Sequence, residues 1–539
     1  MGWNLGDLLD GVGAALPGDA PALIHGGERV SWRELTARSN NLARALIERG
    51  ARPDDKVAFY LRNRCEYLVG LAACLKARLV HVNVNYRYQD DELHYILDNS
   101  DAKFAIFGDE FAERVAALRG RVPGVTHWLQ AGGGAAPDFA EDLARVCAAG
   151  DGAPLDIPRS PDDLLFIYTG GTTGMPKGVM WRAEDLWGAL GAGRTIAANR
   201  GAPPPSPAVH VANVKAFGPG PVQVAACPLM HGTGLLTAIL NLTAGGCCVT
   251  LERPSFDPEE LFDVVERHRV QSIVIVGDAF AKPMLNALDA HPGRWDLRSL
   301  AVVVSSGVMW SREVKAGLLR HHHGWLLADM FGSSEAVGFG SSVTKAGSGA
   351  RTAVFRIGDE CKVFTEDHRE VVAGSGERGF IARSGPIPLG YYKDPEKTAK
   401  TFPTIDGVRY SVPGDYCTVE ADGTLNLLGR GSVCINTAGE KVYPEEVEEA
   451  LKTHPDVEDA LVVGVADDRW GQAVTGLVEL RPAAALDEEA LRRHVHERLA
   501  GYKTPKRIFA VERMFRAPNG KADYKGALAF AEREGVRCP

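Results

Sequence analysis

The sequence contains no run of about 18 apolar residues, so no segment is long and apolar enough to span a bilayer as a helix. Its first residues, Met1-Gly2-Trp3-Asn4-Leu5-Gly6-Asp7, lack a basic stretch followed by an apolar core, and so give no sign of a secretory leader. Positive charge is in deficit: 60 Lys and Arg stand against 69 Asp and Glu, a formal charge of -9. That balance excludes a protein whose whole surface grips nucleic acid, though not a local basic site for phosphates. The ten cysteines include the adjacent pair Cys247 and Cys248 but no Cys-x-x-Cys, which is neither a zinc pattern nor a small disulfide framework. Reduced thiols in a cytoplasmic protein are the expectation. No internal repeat is present.

What remains is an ordinary globular balance, 45% hydrophobic and 24% charged, over 539 residues. At about 150 residues per domain that length suggests roughly three or four units. Sixty glycines, about 11% of the chain against a usual ~7%, imply many tight loops.

The middle of the chain alternates helix and strand signals. Asp257-Pro258-Glu259-Glu260 reads as a helix start, with a cap, a proline at the first position and acids in the first turn. The helix should place Leu261, Val264, Val265 and His268 on one side and lead into the β-branched strand Ser272 to Val276. Ala301 to Val304 and Trp325 to Leu327 are further strand candidates. Such alternation predicts an α/β fold of parallel sheets layered with helices, with ligands beyond the carboxyl ends of the strands. The stretches 131–137 and 201–207 read as loops. From Pro444 onward, charged helices (444–452 and 488–499) flank the strand-like run Ala460 to Val463, which suggests a smaller α+β domain. The preferred boundary follows a strand pair turned by Asp422-Gly423: residues 1–428 form the large domain, 429–432 a hinge and 433–539 a small mobile domain.

The strongest chemical signal is Tyr168-Thr169-Gly170-Gly171-Thr172-Thr173-Gly174-Met175-Pro176-Lys177-Gly178, directly after the apolar run Leu164 to Ile167. Glycines let successive backbone N–H groups point at one anion, threonine hydroxyls add donors, and the lysine adds a movable positive charge. The combination suits a polyphosphate. It is not a Walker loop, because Met175-Pro176 separates Gly174 from Lys177 and a glycine follows the lysine. Three adjacent histidines, His321 to His323, cannot all face one ion in regular structure and read as a solvated loop or helix end.

The glycine-threonine segment resembles the phosphate loop of the adenylate-forming superfamily, which includes acyl-CoA synthetases, firefly luciferase and peptide-synthetase adenylation domains. Other blocks recur in that family's order across nearly the whole chain. Phe331-Gly332-Ser333-Ser334-Glu335 resembles its aromatic-Gly-x-Thr/Ser-Glu block, with phenylalanine where tyrosine is usual. The resemblance implies that Glu335 and Thr172 hold Mg2+, a hard cation that prefers oxygen, and that Ser334 donates to the α-phosphate. Tyr410 to Asp415 resembles the block whose aspartate binds the ribose hydroxyls, with Pro413 where threonine is common; Arg430 is implied as a second nucleotide contact. Pro228-Leu229-Met230-His231-Gly232 resembles the block that closes the acyl pocket, which makes His231 the acyl-side residue. Gly439 to Glu448 resembles the block whose glycine reaches the thiolester site after the C-terminal domain rotates. Just upstream, Ser432, Val433 and Asn436 depart from the usual hinge residues. Pro518-Asn519-Gly520-Lys521 resembles the block whose lysine bridges the carboxylate and the α-phosphate.

The resemblance therefore implies an AMP-forming acyl-CoA ligase that uses ATP, Mg2+ and coenzyme A. Lys521, Thr172, Glu335 and His231 would be catalytic. Thr169, Gly170, Gly171, Thr173, Gly174, Lys177, Phe331, Gly332, Ser333, Ser334, Asp415, Arg430 and Gly439 would bind the nucleotide or coenzyme A. The stretch Gly232 to Leu236 lacks an acid that could meet a substrate ammonium, which favours an apolar carboxylate over an amino acid. Residues 83–88, 178–182 and 276–279 look like those of actinobacterial fatty-acyl and steroid side-chain CoA ligases. The expected partners are small molecules, without nucleic acid or integral membrane contact, and a homodimer is the assembly considered. An adenylation domain that loads a carrier-protein thiol, a luciferase-like monooxygenase and a non-catalytic ATP sensor are the alternatives.

Overall fold

Asp257 opens the helix Pro258–His268 as the sequence predicts, its carboxylate accepting from the N–H groups of Glu259 (2.8 Å) and Glu260 (3.3 Å). The buried face differs from the expected row: Leu261, Phe262 and Val265 are covered, whereas Val264 and His268 are only half-buried. Phe262 turns inward because its ring packs on Trp295, 5.0 Å between centroids. The helix leads into Ser272–Ile275, a strand buried along its whole length. Residues 132–137 and 201–206 lie outside regular structure, and Pro207 then opens the helix Pro207–Phe217.

The computed structural model describes the chain except residues 1, 170–174, 195–198, 350–351, 438–439, 468–469, 518–519 and 538–539. The chain divides into two compact units. The first comprises Met1–Gly307, Glu313–Ala350 and Ser384–Ser411; the second comprises Val308–Arg312, Arg351–Arg383 and Val412–Pro539.

The first unit is α/β. One sheet runs, in spatial order, Gly390–Tyr391, Lys177–Arg182, Leu164–Thr169, Val80–Asn83, Lys56–Tyr60, Ala102–Gly108, His127–Ala131 and Glu141–Asp142. Its strands from Leu164–Thr169 onward are parallel, and the first two are antiparallel additions at the edge. A second run orders Gly340–Thr344, Leu326–Phe331, Val302–Ser306, Ser272–Ile275, Val222–Ala225, Cys247–Thr250, Pro21–His25 and Glu28–Ser31. It is parallel except at Gly340–Thr344 and Glu28–Ser31.

The helix Cys65–Lys76 shows why this unit needs apolar residues on every side: all of it but Glu66 is buried. A methyl group at Gly70 would come within 2.7 Å of the Phe59 ring, so glycine permits the close approach of helix and sheet. The helix ends on Lys76, 2% exposed, whose ammonium is held by Ser39 Oγ (2.9 Å), Asn40 Oδ1 (3.0 Å) and Asp10 (3.0 Å). A buried cation is tolerable only with such a shell.

The second unit carries an antiparallel sheet of Cys361–Phe364, Arg378–Arg383, Asp415–Val419, Leu425–Arg430 and Val354–Ile357. The predicted turn at Asp422-Gly423 joins two of these strands. Beyond it lies an α+β portion with five strands and the helices Pro444–Lys452, Glu488–His496 and Tyr524–Arg537. Among the described residues no helix is long and apolar enough to cross a membrane, and none of the nine cysteines is in a disulfide.

Candidate active site

The strands Leu164–Thr169 and Lys177–Arg182 pair antiparallel, with Thr169 opposite Lys177 and Tyr168 opposite Gly178. Gly170, Gly171, Thr172, Thr173 and Gly174 lie outside the described residues. Gly178 has no alternative: a Cβ there would stand 2.7 Å from the Tyr168 ring. The Lys177 ammonium pairs with the Asp394 carboxylate and lies 5.9 Å from the Tyr391 ring centroid. That hydrogen bond holds the Asp394 carboxyl below its ordinary range. Asp394 also caps the helix Pro395–Thr401 through the Lys397 N–H (2.9 Å).

Phe331 ends the strand Leu326–Phe331, and its ring stacks on Phe339 at 5.2 Å. Gly332 to Glu335 follow as a turn, with the Ser333 N–H donating to Ala336 O (3.0 Å) and the Ala336 N–H to Ser333 Oγ (3.2 Å). Three side chains distant in sequence hold this turn. Trp181 Nε1 donates to Ser334 O (2.9 Å), Ser411 Oγ donates to Glu335 O (2.6 Å), and the Tyr391 hydroxyl donates to Glu335 Oε1 (2.7 Å). Trp181 and Ser411 are fully buried, so these contacts are shielded from competing water. The sequence offered no signal for Tyr391 or Asp394, and it marked the segments of Trp181 and Ser411 without giving either residue this role, because each acts through an ordinary contact made across a long separation.

The half-buried Glu335 carboxylate thus has a neutral hydroxyl donor and no paired cation among the described residues. That environment fits Mg2+, which commonly takes one or two protein carboxylates and completes its shell with phosphate and water.

A third block joins the same region through Asn83. Its side-chain amide donates to Tyr168 O (2.9 Å) and Met230 O (2.7 Å), while its Oδ1 accepts from the Tyr168 N–H (2.7 Å). The entry to the glycine-threonine segment is thereby tied to the residue before His231. His231 precedes the helix Gly232–Thr243, and Gly232 is close enough to the turn that a Cβ on it would lie 3.8 Å from Ser334 Oγ. Three motif blocks predicted from sequence converge in the first unit.

In the second unit Asp415 is buried at the head of Asp415–Val419 and sits opposite Arg430 in the antiparallel register. Gly429 holds φ +138°, a conformation in which a side chain would be strained. Gly439 lies outside the described residues. Lys521 is exposed and follows Gly520 in a tight hairpin, its carbonyl accepting from the Ala517 N–H (2.8 Å). The three histidines diverge: His321 bonds Asp289 (2.6 Å), His322 stacks on Trp325 (5.2 Å between centroids) and His323 is exposed. A surface cavity of about 490 Å³ beside them contains none of the motif residues. Its Arg294, Arg298 and His321 are already paired with carboxylates.

Residues 12–392 match the AMP-binding enzyme family, and residues 446–521 match the AMP-binding enzyme C-terminal domain. The chain belongs to the AMP-binding enzyme family. It is 40% identical over 541 residues to a medium/long-chain-fatty-acid–CoA/3-oxocholest-4-en-26-oate–CoA ligase of Mycolicibacterium smegmatis, covering 99% of this chain and 97% of that one. A 3-oxocholest-4-en-26-oate–CoA ligase of Rhodococcus rhodochrous is 39% identical over 98% of this chain and 96% of its own. Among solved structures, ATP-bound MatB from Rhodopseudomonas palustris is 25% identical with a TM-score of 0.80, covering 99% of both chains. The anthranilate CoA ligase AuaEII shares the fold at a TM-score of 0.84 and 21% identity, covering 99% of this chain and 98% of that one. Within this AMP-binding enzyme, the convergence of Lys177, Ser334, Glu335 and His231 in one unit gives the motif residues a common structural frame.

Proposed function

We propose that this protein is an AMP-forming acid–thiol ligase that joins a hydrophobic carboxylic acid to coenzyme A, the acid being of the fatty-acyl or steroid side-chain class. The observation that carries the reading is the fastening of the Glu335 turn to the strands beside the glycine-threonine segment, by Tyr391 and Trp181.

In the first half-reaction a substrate carboxylate oxygen attacks the α-phosphorus of ATP. A carboxylate–phosphorus bond forms, the bond to the bridging oxygen breaks, and pyrophosphate leaves. Such a transfer depends chiefly on positioning and on charge stabilisation. The glycine-threonine segment, with Thr169, Gly170, Gly171, Thr173, Gly174 and Lys177, would hold the phosphates. Ser334 would donate to the α-phosphate, Phe331, Gly332 and Ser333 would line the nucleotide, and Asp415 with Arg430 would hold the ribose. Glu335 and Thr172 would hold Mg2+, which neutralises charge on the phosphates when bound. Lys521 would stabilise the negative charge that develops between the carboxylate and the α-phosphate. In the second half-reaction the coenzyme A thiolate attacks the acyl carbonyl, the acyl–phosphate oxygen bond breaks, and AMP leaves. His231 would act on the acyl side and Gly439 on the thiol side, after a rotation about the hinge at 429–432.

The substrate class is supported by the two ligases of M. smegmatis and R. rhodochrous and by the absence of an acid in Gly232 to Leu236. A panel of short, long-chain and steroid carboxylates assayed for coenzyme A-dependent AMP formation tests the proposal. Highest activity with long-chain or steroid acids supports it. AMP release only onto a carrier-protein thiol, or ATP binding without pyrophosphate exchange with any acid, would overturn it.

A further inference from the structure

Lys521 sits on a hairpin whose two sides are closed by backbone bonds, Asp523 N–H to Phe515 O (2.9 Å) and Ala517 N–H to Lys521 O (2.8 Å). Arg516 and Ala522 form an isolated antiparallel bridge across it. Lys521 itself is exposed. The neighbouring arginine is fixed. Arg516 presents Nε and Nη2 to the two carboxylate oxygens of Asp459, the latter at 2.7 Å, and turns Nη1 to the carbonyl of Gly520 at 3.2 Å. A planar guanidinium bound through a two-point fork has little freedom left, so its third bond holds the Gly520 carbonyl in place.

A second grip lies just beyond the lysine. Tyr524, at the start of the helix Tyr524–Arg537, lies against the carboxyl of Glu448 and opposes its upward shift. Glu448 is buried and accepts from the Val462 N–H at 3.0 Å. Burial pushes the Glu448 carboxyl up to about 7, against the opposing pull of Lys452, Arg516 and Tyr524. Asp459 and Val462 both belong to the strand Val457–Asp467, so the Arg516 fork ties the hairpin to the strand that also holds Glu448.

We propose that Arg516, clamped by Asp459, is a positioning residue for Lys521, and that it sets the rate of acyl-adenylate formation by fixing the Gly520 carbonyl at the base of the lysine. The inference rests on the reading that Lys521 acts in adenylation. A lysine on a loosened hairpin keeps its charge but loses its placement, and misplacement of about 1 Å costs on the order of 100-fold in rate.

The test compares Lys521→Ala, Arg516→Ala and Arg516→Lys in the full-length protein, measuring two half-reactions separately. One is acid-dependent ATP–pyrophosphate exchange; the other is coenzyme A-dependent consumption of chemically prepared acyl-AMP. Arg516→Ala is expected to lower exchange on the order of 100-fold and to leave acyl-AMP consumption within about threefold of wild type, as Lys521→Ala should. Arg516→Lys keeps the charge but cannot form the fork, and is expected to lose exchange at least tenfold (~1.4 kcal/mol). It also decides the matter by the same criteria should the alanine variant not fold. Retention of exchange by both Arg516 variants while Lys521→Ala loses it would overturn the inference and leave the role of Lys521 intact. Equal loss of both half-reactions would assign Arg516 a general structural role and also overturn it. Retention of exchange by Lys521→Ala would remove the reading on which the inference stands.

Discussion

The hydroxyl of Tyr391 donates to Oε1 of Glu335 at 2.7 Å, joining a two-residue edge strand to the turn that follows Leu326–Phe331. A hydrogen bond to a charged group is worth about 1.5–3 kcal/mol, more than a neutral one. Tyr391→Phe removes it without changing the ring. The Michaelis constant for ATP–Mg2+ in pyrophosphate exchange should rise about tenfold or more, and the unfolding free energy should fall by about 1.5–3 kcal/mol. An unchanged constant would show that the Glu335 carboxylate is oriented without Tyr391.

Asn83 offers a sharper structural test, because it serves Tyr168 and Met230 with one buried amide. Asn83→Ala leaves the Tyr168 N–H without its Oδ1 acceptor, and such an orphan costs about 1–3 kcal/mol. Urea unfolding should report a loss of that order, and pyrophosphate exchange should fall with it. Wild-type stability in this variant would mean that another group takes over the contacts.

Lys315 and Asp329 form a buried ion pair at 3.0 Å, with side chains 1% and 7% exposed. Asp329 lies on the strand that ends in Phe331. Burial raises the Asp329 carboxyl, and Lys315 works against that rise. Lys315→Met should destabilise the protein by about 3–5 kcal/mol, because it strands a buried carboxylate. Adding Asp329→Leu should restore most of the loss, since an apolar pair of similar volume is often neutral. Chemical denaturation of both variants checks the pair.

His81 gives the fold an acid-sensitive point. Burial lowers its pKa from 6.5 to about 3, and the ring is hydrogen-bonded to the Tyr67 hydroxyl at 3.0 Å. The folded state therefore binds this proton less readily than the unfolded chain. The contribution is fully present above pH 6.5 and is lost as the pH falls through 3. Its full span is up to ~5 kcal/mol, at about 1.4 kcal/mol per tenfold in proton affinity. His81→Gln should flatten stability measured between pH 6.5 and 4; an unchanged slope would assign the acid limb to other groups.

The sequence by itself determined the local elements and the motif blocks. Asp257-Pro258 starts a helix because its side chain and ring act on the next turn alone, and the β-branched run at 272–275 is a buried strand wherever it lands. Glycine-rich and Ser-Glu blocks are likewise legible, because the chemistry sits in adjacent residues. Only the tertiary structure decided what holds those blocks. Tyr391 meets Glu335 across 56 positions, Trp181 meets Ser334 across 153, and Asn83 reaches Tyr168 and Met230 across 85 and 147. Phe262 turning inward in place of His268 is the same kind of outcome, fixed by Trp295 rather than by helical period. Local backbone preference acts over a few residues, whereas these contacts exist only because sheet order and helix packing bring distant strands to one edge.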